Sequence, residues 1–171
     1  MILIRPYTKK DREVCLSLFD GNAPPFFDPS ERSTYKAFLE GETFHAYRIF
    51  ERDGTVVACG GYAIEEEMGD LCWGIVSRRA HGEKLGWLLL LYRLNKIAQD
   101  ESLYGVHLDT SQHIEKFYEK LGFRTIMVTE DYYGAGLHRH DMELMLTSEK
   151  RTEIESEYRR ISEKLEVRER E

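Results

Sequence analysis

The sequence contains no long apolar stretch, and its longest purely apolar run covers only residues 87–92. A membrane-spanning helix needs about 20 consecutive apolar residues, so we expect no membrane partner. The first residues also lack a basic segment followed by an apolar one, which is the pattern of a secretory signal. We therefore expect a cytoplasmic protein.

Cysteine is scarce, because the chain has only Cys15, Cys59 and Cys72 and no CxxC pair. An odd number in apolar surroundings predicts buried free thiols rather than disulfides or a zinc site, with a catalytic thiol as the alternative. His138 and His140 alternate along a predicted strand and would share one face. No third ligand accompanies them, so we interpret them as a polar hairpin patch and expect no metal.

Positive charge is also in short supply. Lys and Arg number 24 against 31 Asp and Glu, which gives a net charge of −7. Nucleic acid requires a basic face, so this balance argues against a nucleic-acid partner. It would favour the approach of a cationic substrate, although a charge that only keeps a small protein soluble explains it equally well.

The apolar pattern predicts both strands and helices. Strand-like runs cover 1–7, 44–51, 55–64, 70–76, 106–109, 123–129 and 137–146. Helical spacing covers 11–19, 30–41, 83–99 and 111–121. Turn signals at 52–54 and 68–70 predict hairpins, so part of the sheet is expected to be antiparallel. This order predicts a mixed α/β sheet covered by helices, within a domain of residues 1–147.

The tail, residues 148–171, is nearly all charged. Ile154, Tyr158, Ile161 and Leu165 follow a four-three-four spacing, which predicts a helix with one thin apolar seam. The seam would pack on the body of the domain or on a partner chain, which leaves a homodimer open. The alternative to a packed seam is a solvated, partly frayed helix.

The segment from Ile75 to Leu89 follows a predicted strand and opens a long predicted helix. A helix N-terminus with free N–H groups is an anion site, and glycines allow the backbone to approach a phosphate. His81 and the neighbouring arginines would add positive charge. An ordinary turn explains this segment equally well when it is considered alone.

Two segments together carry a family signature. His81-Gly82-Glu83-Lys84-Leu85-Gly86 lies on the pattern (Q/R)-x-x-G-x-(G/A) behind the strand that ends at Val76. Residues 114–123 match A-x-x-F-Y-x-K-x-G-F except at their first residue. In this order and at this distance, the segments resemble the GNAT acetyltransferase superfamily over residues 2–146.

The resemblance implies a central mixed sheet of about 6–7 strands flanked by helices, with the charged C-terminal helix as an addition. It also implies an N-acyltransferase that moves an acetyl group from acetyl-CoA directly to a primary amine of a small molecule or peptide. A non-catalytic acyl-CoA-binding or regulatory domain of the same fold is one alternative, and a structural oligomer built through the tail is another.

The resemblance further assigns the cofactor residues. Backbone groups of Ile75 and Val76 would pair with the pantetheine arm, and the helix-opening loop would hold the pyrophosphate. The predicted cofactor-binding residues are Ile75, Val76, His81, Gly82, Glu83, Lys84, Leu85, Gly86, Trp87 and Tyr118.

Two catalytic roles follow from the resemblance and from the chemistry. Tyr118 matches the family tyrosine that protonates the departing thiolate, and a phenol with a pKa near 10 suits that task. The amine must lose a proton before it attacks, and we select Glu66 as the base. The other candidates are Glu65, Glu67, Asp70, His107 and Asp109.

The sequence departs from the family pattern at the helix-opening loop. His81 stands where the family has Gln or Arg, and Lys84 stands where it has the first Gly. A lysine there would either add a cation beside the pyrophosphate or crowd the loop if the backbone needs a positive φ. We expect Phe26, Phe27, the second helix and the loop 132–137 to frame the amine.

Overall fold

Eight strands form one mixed sheet in the computed structural model, which describes residues 1–41 and 46–171. The strands are β1 Ile2–Pro6, β2 Arg48–Arg52, β3 Thr55–Glu65, β4 Met68–Val76, β5 Gly105–Ser111, β6 Arg124–Gly134, β7 Leu137–Met145 and β8 Val167–Glu169. The helices are α1 Arg12–Asn22, α2 Arg32–Glu40, α3 Leu85–Ala98, α4 Glu115–Glu119 and α5 Ser148–Lys164.

The spatial order of the strands is β6-β7-β5-β4-β3-β2-β1-β8. The β4/β5 and β1/β8 pairs are parallel, and all other neighbouring pairs are antiparallel. The predicted mixed α/β fold with an extra C-terminal helix is therefore confirmed. Among the described helices, none is both long and apolar enough to cross a membrane.

One predicted hairpin turn is confirmed and the other is wrong. Asp53 and Gly54 have φ values of 52° and 75° and join β2 to β3. The predicted turn at 68–70 instead lies inside β4, because the chain reverses just before it, at Glu66 and Glu67. The φ of Glu66 is 54°. Gly69 serves close packing, because a Cβ there would lie 2.7 Å from Ile97 of α3.

Other boundaries also differ from the predictions. The start of the predicted strand 44–51 lies outside the described residues, and β2 begins at Arg48. The helix predicted for 111–121 is only α4, because Ser111 still pairs with Arg139 in the sheet. β6 extends into the predicted loop as far as Gly134. The seven predicted strand-like runs omit only β8, which lies in the charged tail.

The two faces of the sheet carry different cores. The face covered by α3 and α5 is largely aliphatic, with Leu88, Leu90 and Leu91 of α3 at its centre. The face covered by α1 and α2 is rich in aromatic rings, which include Phe19 and Tyr35. Each helix thus buries its apolar face against the sheet, where burial is worth about 25 cal/mol per Å².

The apolar seam of the tail packs on the body of the same chain. Ile154 and Ile161 are 0 % and 6 % exposed, and the ring of Tyr158 lies 6.1 Å from that of Tyr92 in α3. β8 then pairs with β1. Of the two predicted arrangements for the seam, packing on the body of the domain is therefore the one found in the structure.

Candidate functional site

β4 and β5 run parallel but separate partway along their length. Their register runs from Met68 opposite Gly105 to Leu71 opposite Leu108 and ends there. Beyond that point β4 has a bulge at Trp73, whose φ is 42°, and the pairing of β4 with β3 shifts at the same place. The rest of β4 is not paired with β5. Beside this gap lies a cavity that is lined by Gly74, Ile75 and Val76 of β4 and by His113 and Ile114, which follow β5.

The cavity has a volume of about 720 Å³ and extends from this gap to the N-terminus of α3 and to α4. Most of the predicted cofactor residues line it, namely Ile75, Val76, His81, Gly82, Lys84, Gly86, Trp87 and Tyr118. The side chains of Glu83 and Leu85 do not. Glu83 pairs with Arg52, and Leu85 is 1 % exposed within the aliphatic core.

The N-terminus of α3 presents backbone donors to the cavity. The first intrahelical bond runs from the N–H of Leu88 to the carbonyl of Lys84 at 3.0 Å, so the preceding N–H groups of the first turn have no helical carbonyl to bind. Such groups and the helix dipole favour an anion. The arrangement fits a pyrophosphate without requiring any particular side chain.

Lys84 adopts the backbone conformation that glycine favours. Its φ and ψ are 66° and 7°, in the left-handed region, and Gly82 nearby has a φ of 85°. A non-glycine residue there costs about 1–2 kcal/mol. The position that departs from the family pattern therefore carries strain, while its ammonium group lies at the wall of the cavity.

The segment between α1 and α2 packs against the loop that precedes α3. The ring of Phe26 lies 5.4 Å from His81, and the guanidinium of Arg78 lies 5.3 Å above Phe26. Phe27 turns inward, with its ring 5.1 Å from that of Phe19. Both phenylalanines line the cavity, but Phe27 is also part of the aromatic core.

Tyr118 lies on α4 and lines the cavity, where it is half-buried. Its ring is held between Phe117 at 5.2 Å and Phe123 at 5.8 Å. Burial raises the pKa of Tyr118 above its usual value, and the guanidinium of Arg93 offsets part of that increase. At neutral pH the phenol is therefore protonated and able to donate.

Arg93 is a buried cation on α3 that lines the same cavity, and it is only 3 % exposed. Its Nε donates to the carbonyl of Leu89 at 3.1 Å, and its Nη1 donates to Gly61 at 3.4 Å. No carboxylate in residues 1–41 or 46–171 forms an ion pair with it. A buried charge without a counterion is costly, so this site favours an anionic ligand.

Sequence reasoning missed Arg93, although a signal was present. Arg93 falls four residues after Leu89 and four before Ile97, in the middle of the apolar face of the predicted helix. Room for its guanidinium comes from Gly74 in the bulge of β4, because a Cβ there would lie 2.9 Å from Nη2.

Glu66, the predicted base, lies at the exposed turn between β3 and β4. β4 begins beside this turn at Met68 and reaches the cavity at Val76, eight residues later. At about 3.3 Å per residue, the turn and the cavity are roughly 26 Å apart along the strand. Glu65 and Glu67 share that exposed turn. The structure therefore does not bring this acidic cluster together with Tyr118.

Asp70 and His107, two other candidate bases, form a network with Asp141. The imidazole of His107 lies 2.6 Å from the Asp70 carboxylate and 3.0 Å from that of Asp141. Hydrogen bonding to Asp70, with a smaller contribution from Asp141, raises the pKa of His107 to about 9. His107 is thus a cation at neutral pH, which stabilises the paired part of β4 and β5 but leaves it unable to accept a proton.

An acidic cleft lies where the start of α2 meets β5 and β6. Tyr133 donates a hydrogen bond to Asp109, and Nη2 of Arg139 lies 3.8 Å from the same carboxylate. Burial, with a smaller contribution from the carboxylates of Asp28 and Asp109, raises the pKa of Glu31 to about 7. Sequence spacing gave no reason to select Glu31 or Tyr133, because Glu31 lies in the turn before α2 and Tyr133 lies in β6.

The residues considered for metal or thiol chemistry have other partners or are buried. His138 accepts a hydrogen bond from the N–H of Asp131 at 3.0 Å, and His140 lies 3.1 Å from Glu115. Within the described ranges, no group of three or more His, Cys, Asp and Glu is arranged to hold a metal ion. The three cysteines are free as predicted, but only Cys15 and Cys59 are buried, and Cys72 is half-buried. Desolvation still raises the pKa of Cys72 to about 11, which disfavours its thiolate.

Comparison with known proteins adds a family to this geometry. The model of the acetyltransferase (GNAT) domain family matches residues 25–146. A glucosamine 6-phosphate N-acetyltransferase of Candida albicans is 34 % identical over 88 residues, which cover 47 % of this chain and 58 % of that protein. The chain thus spans less than two thirds of the curated relative that it matches.

Solved structures share the fold at low sequence identity. The ribosomal-protein-S18-alanine N-acetyltransferase of Escherichia coli superposes with a TM-score of 0.70 at 18 % identity, covering 86 % of this chain and 95 % of its own. An aminoglycoside 6′-N-acetyltransferase complexed with coenzyme A gives a TM-score of 0.64 at 14 % identity, and the match covers 84 % of this chain and 97 % of that protein.

Proposed function

The chain belongs to the GNAT acetyltransferase family, and from this premise we propose that it is an N-acyltransferase that moves an acetyl group from acetyl-CoA to a primary amine. The observation that carries the proposal is the cavity between β4 and β5, which extends from the α3 N-terminus to Tyr118 and Arg93. Acetyl-CoA would supply the activated thioester. The coenzyme A complex of a protein with the same fold supports this choice.

The cofactor-binding part of the proposal uses backbone groups first. The first turn of α3 would hold the pyrophosphate, and the end of β4 at Ile75 and Val76 would pair with the pantetheine arm in the manner of an added strand. Lys84 would add charge at the wall of the cavity, which His81 also lines. The known chemistry of helix N-termini supports this arrangement even though Lys84 replaces a family glycine.

Tyr118 and Arg93 form the proposed leaving-group site. The phenol of Tyr118 donates its proton as the sulfur of coenzyme A departs, and the guanidinium of Arg93 stabilises the negative charge before that transfer is complete. The pairing explains why a cation is buried on α3 without a carboxylate partner among the described residues.

The acidic cleft is the proposed site of the amine. An ammonium group would be attracted by Asp109 and Glu31, and it must lose a proton before attack. We propose Glu31 as the acceptor of that proton, since its pKa of about 7 suits a base at neutral pH. The amines of the similar proteins, a sugar phosphate and a ribosomal-protein alanine, indicate that the family takes both small molecules and peptides.

Thiol release in the presence of acetyl-CoA and a panel of small and peptide amines tests the proposal, with calorimetry of acetyl-CoA binding alongside. We expect binding and amine-dependent thiol release. Binding without turnover of any amine would favour the non-catalytic acyl-CoA-binding domain, and absence of binding at millimolar acetyl-CoA would overturn the cofactor assignment.

Two matched variants test the base. With a pKa near 7, Glu31 gains its charge as pH rises, so kcat/KM should rise through about pH 7 in the wild type and lose this rise in Glu31→Gln. Glu66→Gln at the distant turn should keep the wild-type profile. The opposite pattern would return the role to Glu66.

A further inference from the structure

We propose that α5 completes the cofactor site, with Arg160 and Lys164 holding the 3′-phosphate of coenzyme A. This inference rests on the proposed function, because it concerns the same cofactor. It assigns a role to residues 148–171, which lie outside the segment that the family model matches and which we predicted as an extension to the domain 1–147.

α5 is fixed against α3 in an antiparallel direction. The guanidinium of Arg151, near the start of α5, donates to the carbonyls of Ala98 and Asp100 at the C-terminal end of α3, at 2.6 and 3.0 Å. Lys164 lies thirteen residues later, or about 20 Å along the helix at 1.5 Å per residue. The last turns of α5 therefore reach the N-terminal end of α3, where the phosphate site is proposed.

β8 secures this end of the tail to the sheet. Ile2 of β1 pairs with Val167, and Glu169 accepts a hydrogen bond from Tyr92 of α3 at 2.7 Å and one from Lys96 at 3.0 Å. Ile161 is 6 % exposed beneath the helix. The side chains of Arg160 and Lys164 are thus presented from an anchored helix, which limits the entropy lost when they bind a ligand.

Besides the backbone donors of the α3 N-terminus, this end of the cavity carries cationic side chains. Arg160 and Lys164 line it together with Lys120 of α4 and the indole of Trp87. Arg160 pairs with Glu157 at 2.6 Å, whereas Lys120 and Lys164 have no ion-pair partner in the described part of the chain. Three cations thus converge on one cavity in a chain whose net charge is −7.

The chemistry of coenzyme A indicates which group this end would bind. The molecule carries a pyrophosphate and, on the far side of its ribose, a phosphate monoester with a charge of about −1.5 to −2 near pH 7. The helix N-terminus suits the pyrophosphate. The phosphate monoester would then be bound by cationic side chains, because Arg and Lys form short, strong hydrogen bonds to phosphate oxygens.

Calorimetry of the full chain with coenzyme A and with 3′-dephospho-coenzyme A tests the inference. Two charge-assisted contacts predict that the wild type prefers coenzyme A by about 10- to 100-fold. The double variant Arg160→Glu/Lys164→Glu should lose this preference while its affinity for 3′-dephospho-coenzyme A stays within about threefold. Arg160→Gln/Lys164→Gln should lose part of it without introducing a repulsive charge.

Arg159→Glu provides the matched control. The side chain of Arg159 is 69 % exposed and pairs with Glu155, and the side chain of Arg160 is 73 % exposed and pairs with Glu157. Unlike Arg160, Arg159 does not line the cavity. It should bind both ligands as the wild type does. The inference would be overturned, with the proposed function intact, if the wild type bound both ligands equally well. The same holds if Arg159→Glu lost the preference for coenzyme A as fully as Arg160→Glu/Lys164→Glu. Binding of neither ligand by the wild type would overturn the proposed function as well.

Discussion

The two ends of β4 share one strand but have opposite character. At the Met68 end, β4 pairs with β3 and β5, and Asp70 joins the His107 network that bridges to β7. At the Val76 end, the strand has passed the bulge at Trp73, is free of β5 and borders the cavity. The first end carries its charges in paired form. At the second end, β4 is no longer paired with β5, and Arg93 beside it has no carboxylate partner among the described residues.

This difference shows that charge alone is a poor guide to the site. The end with the most acidic residues, Glu65 to Glu67, is a solvated turn, and the carboxylates next to it are used to hold strands together. At the splayed end, by contrast, Arg93 is buried without a carboxylate partner among the described residues, and other cations line the cavity around it. If function and stability separate along the strand in this way, substitutions at the two ends of β4 should have different effects.

The largest effect is expected at the splayed end, from Arg93→Met. Losing one charged contact to the leaving group should lower turnover by about 30- to 300-fold, with acetyl-CoA affinity nearly unchanged. Burying a charge without a counterion is costly, and methionine removes that cost, so the free energy of unfolding should not fall. Steady-state kinetics and urea denaturation of the same sample check both.

Arg93→Lys serves as the control, because it keeps the charge but not the fork of donors. It should retain more activity than Arg93→Met. A fall in stability that parallels the fall in turnover for both variants would instead assign Arg93 a structural role.

A smaller effect is expected at the paired end, through His107. Its pKa is raised from 6.5 to about 9, so its contribution to stability is fully present below pH 6.5 and is lost as pH rises through 9. With partial exposure of the ring, the free energy of unfolding should fall by about 1–2 kcal/mol over that range. Denaturant titrations at pH 6 and 9.5 measure it.

His107→Gln should flatten this pH dependence while acetyl-CoA binding at neutral pH stays at the wild-type level. Loss of cofactor binding in this variant would break the separation between the two ends of β4.

The smallest effect is expected from Lys84→Gly at the start of α3. Glycine relieves the strain of the left-handed backbone but loses more conformational entropy on folding than lysine does. The net effect should raise the free energy of unfolding by about 0.5–1 kcal/mol. Acetyl-CoA affinity should fall by about two- to fivefold as one exposed cation is lost. Thermal unfolding and calorimetry give the two values, and a gain in affinity would show that Lys84 crowds the loop.

The sequence predicted those parts of the molecule whose signals are local. The glycine-containing loop before α3 and the Phe-Tyr-x-Lys-x-Gly-Phe segment led to the fold and to most of the residues that line the cavity. The turn at 68–70 was mispredicted because Gly69 makes room for Ile97, which is a contact from a distant helix. β8 was missed because a strand of three residues in a charged tail has no apolar alternation.

The remaining site residues depend on three-dimensional contacts. Glu31 and Asp109 come from separate elements, and only the folded chain brings them close enough to shift a pKa. Arg160 and Lys164 were not selected from the sequence, since nothing in the spacing shows that α5 ends beside the N-terminus of α3. Arg93 was the exception, because its position on the apolar face could have been noticed.

The most direct test of the central claim is a comparison of Tyr118→Phe with the wild type, in which thiol release and acetyl-CoA binding are measured on the same preparation. We expect thiol release to fall by about 10- to 1000-fold while the dissociation constant of acetyl-CoA stays within about twofold, because the phenol acts only as the sulfur departs. Unchanged thiol release, or a loss of binding as large as the loss of rate, would contradict the account.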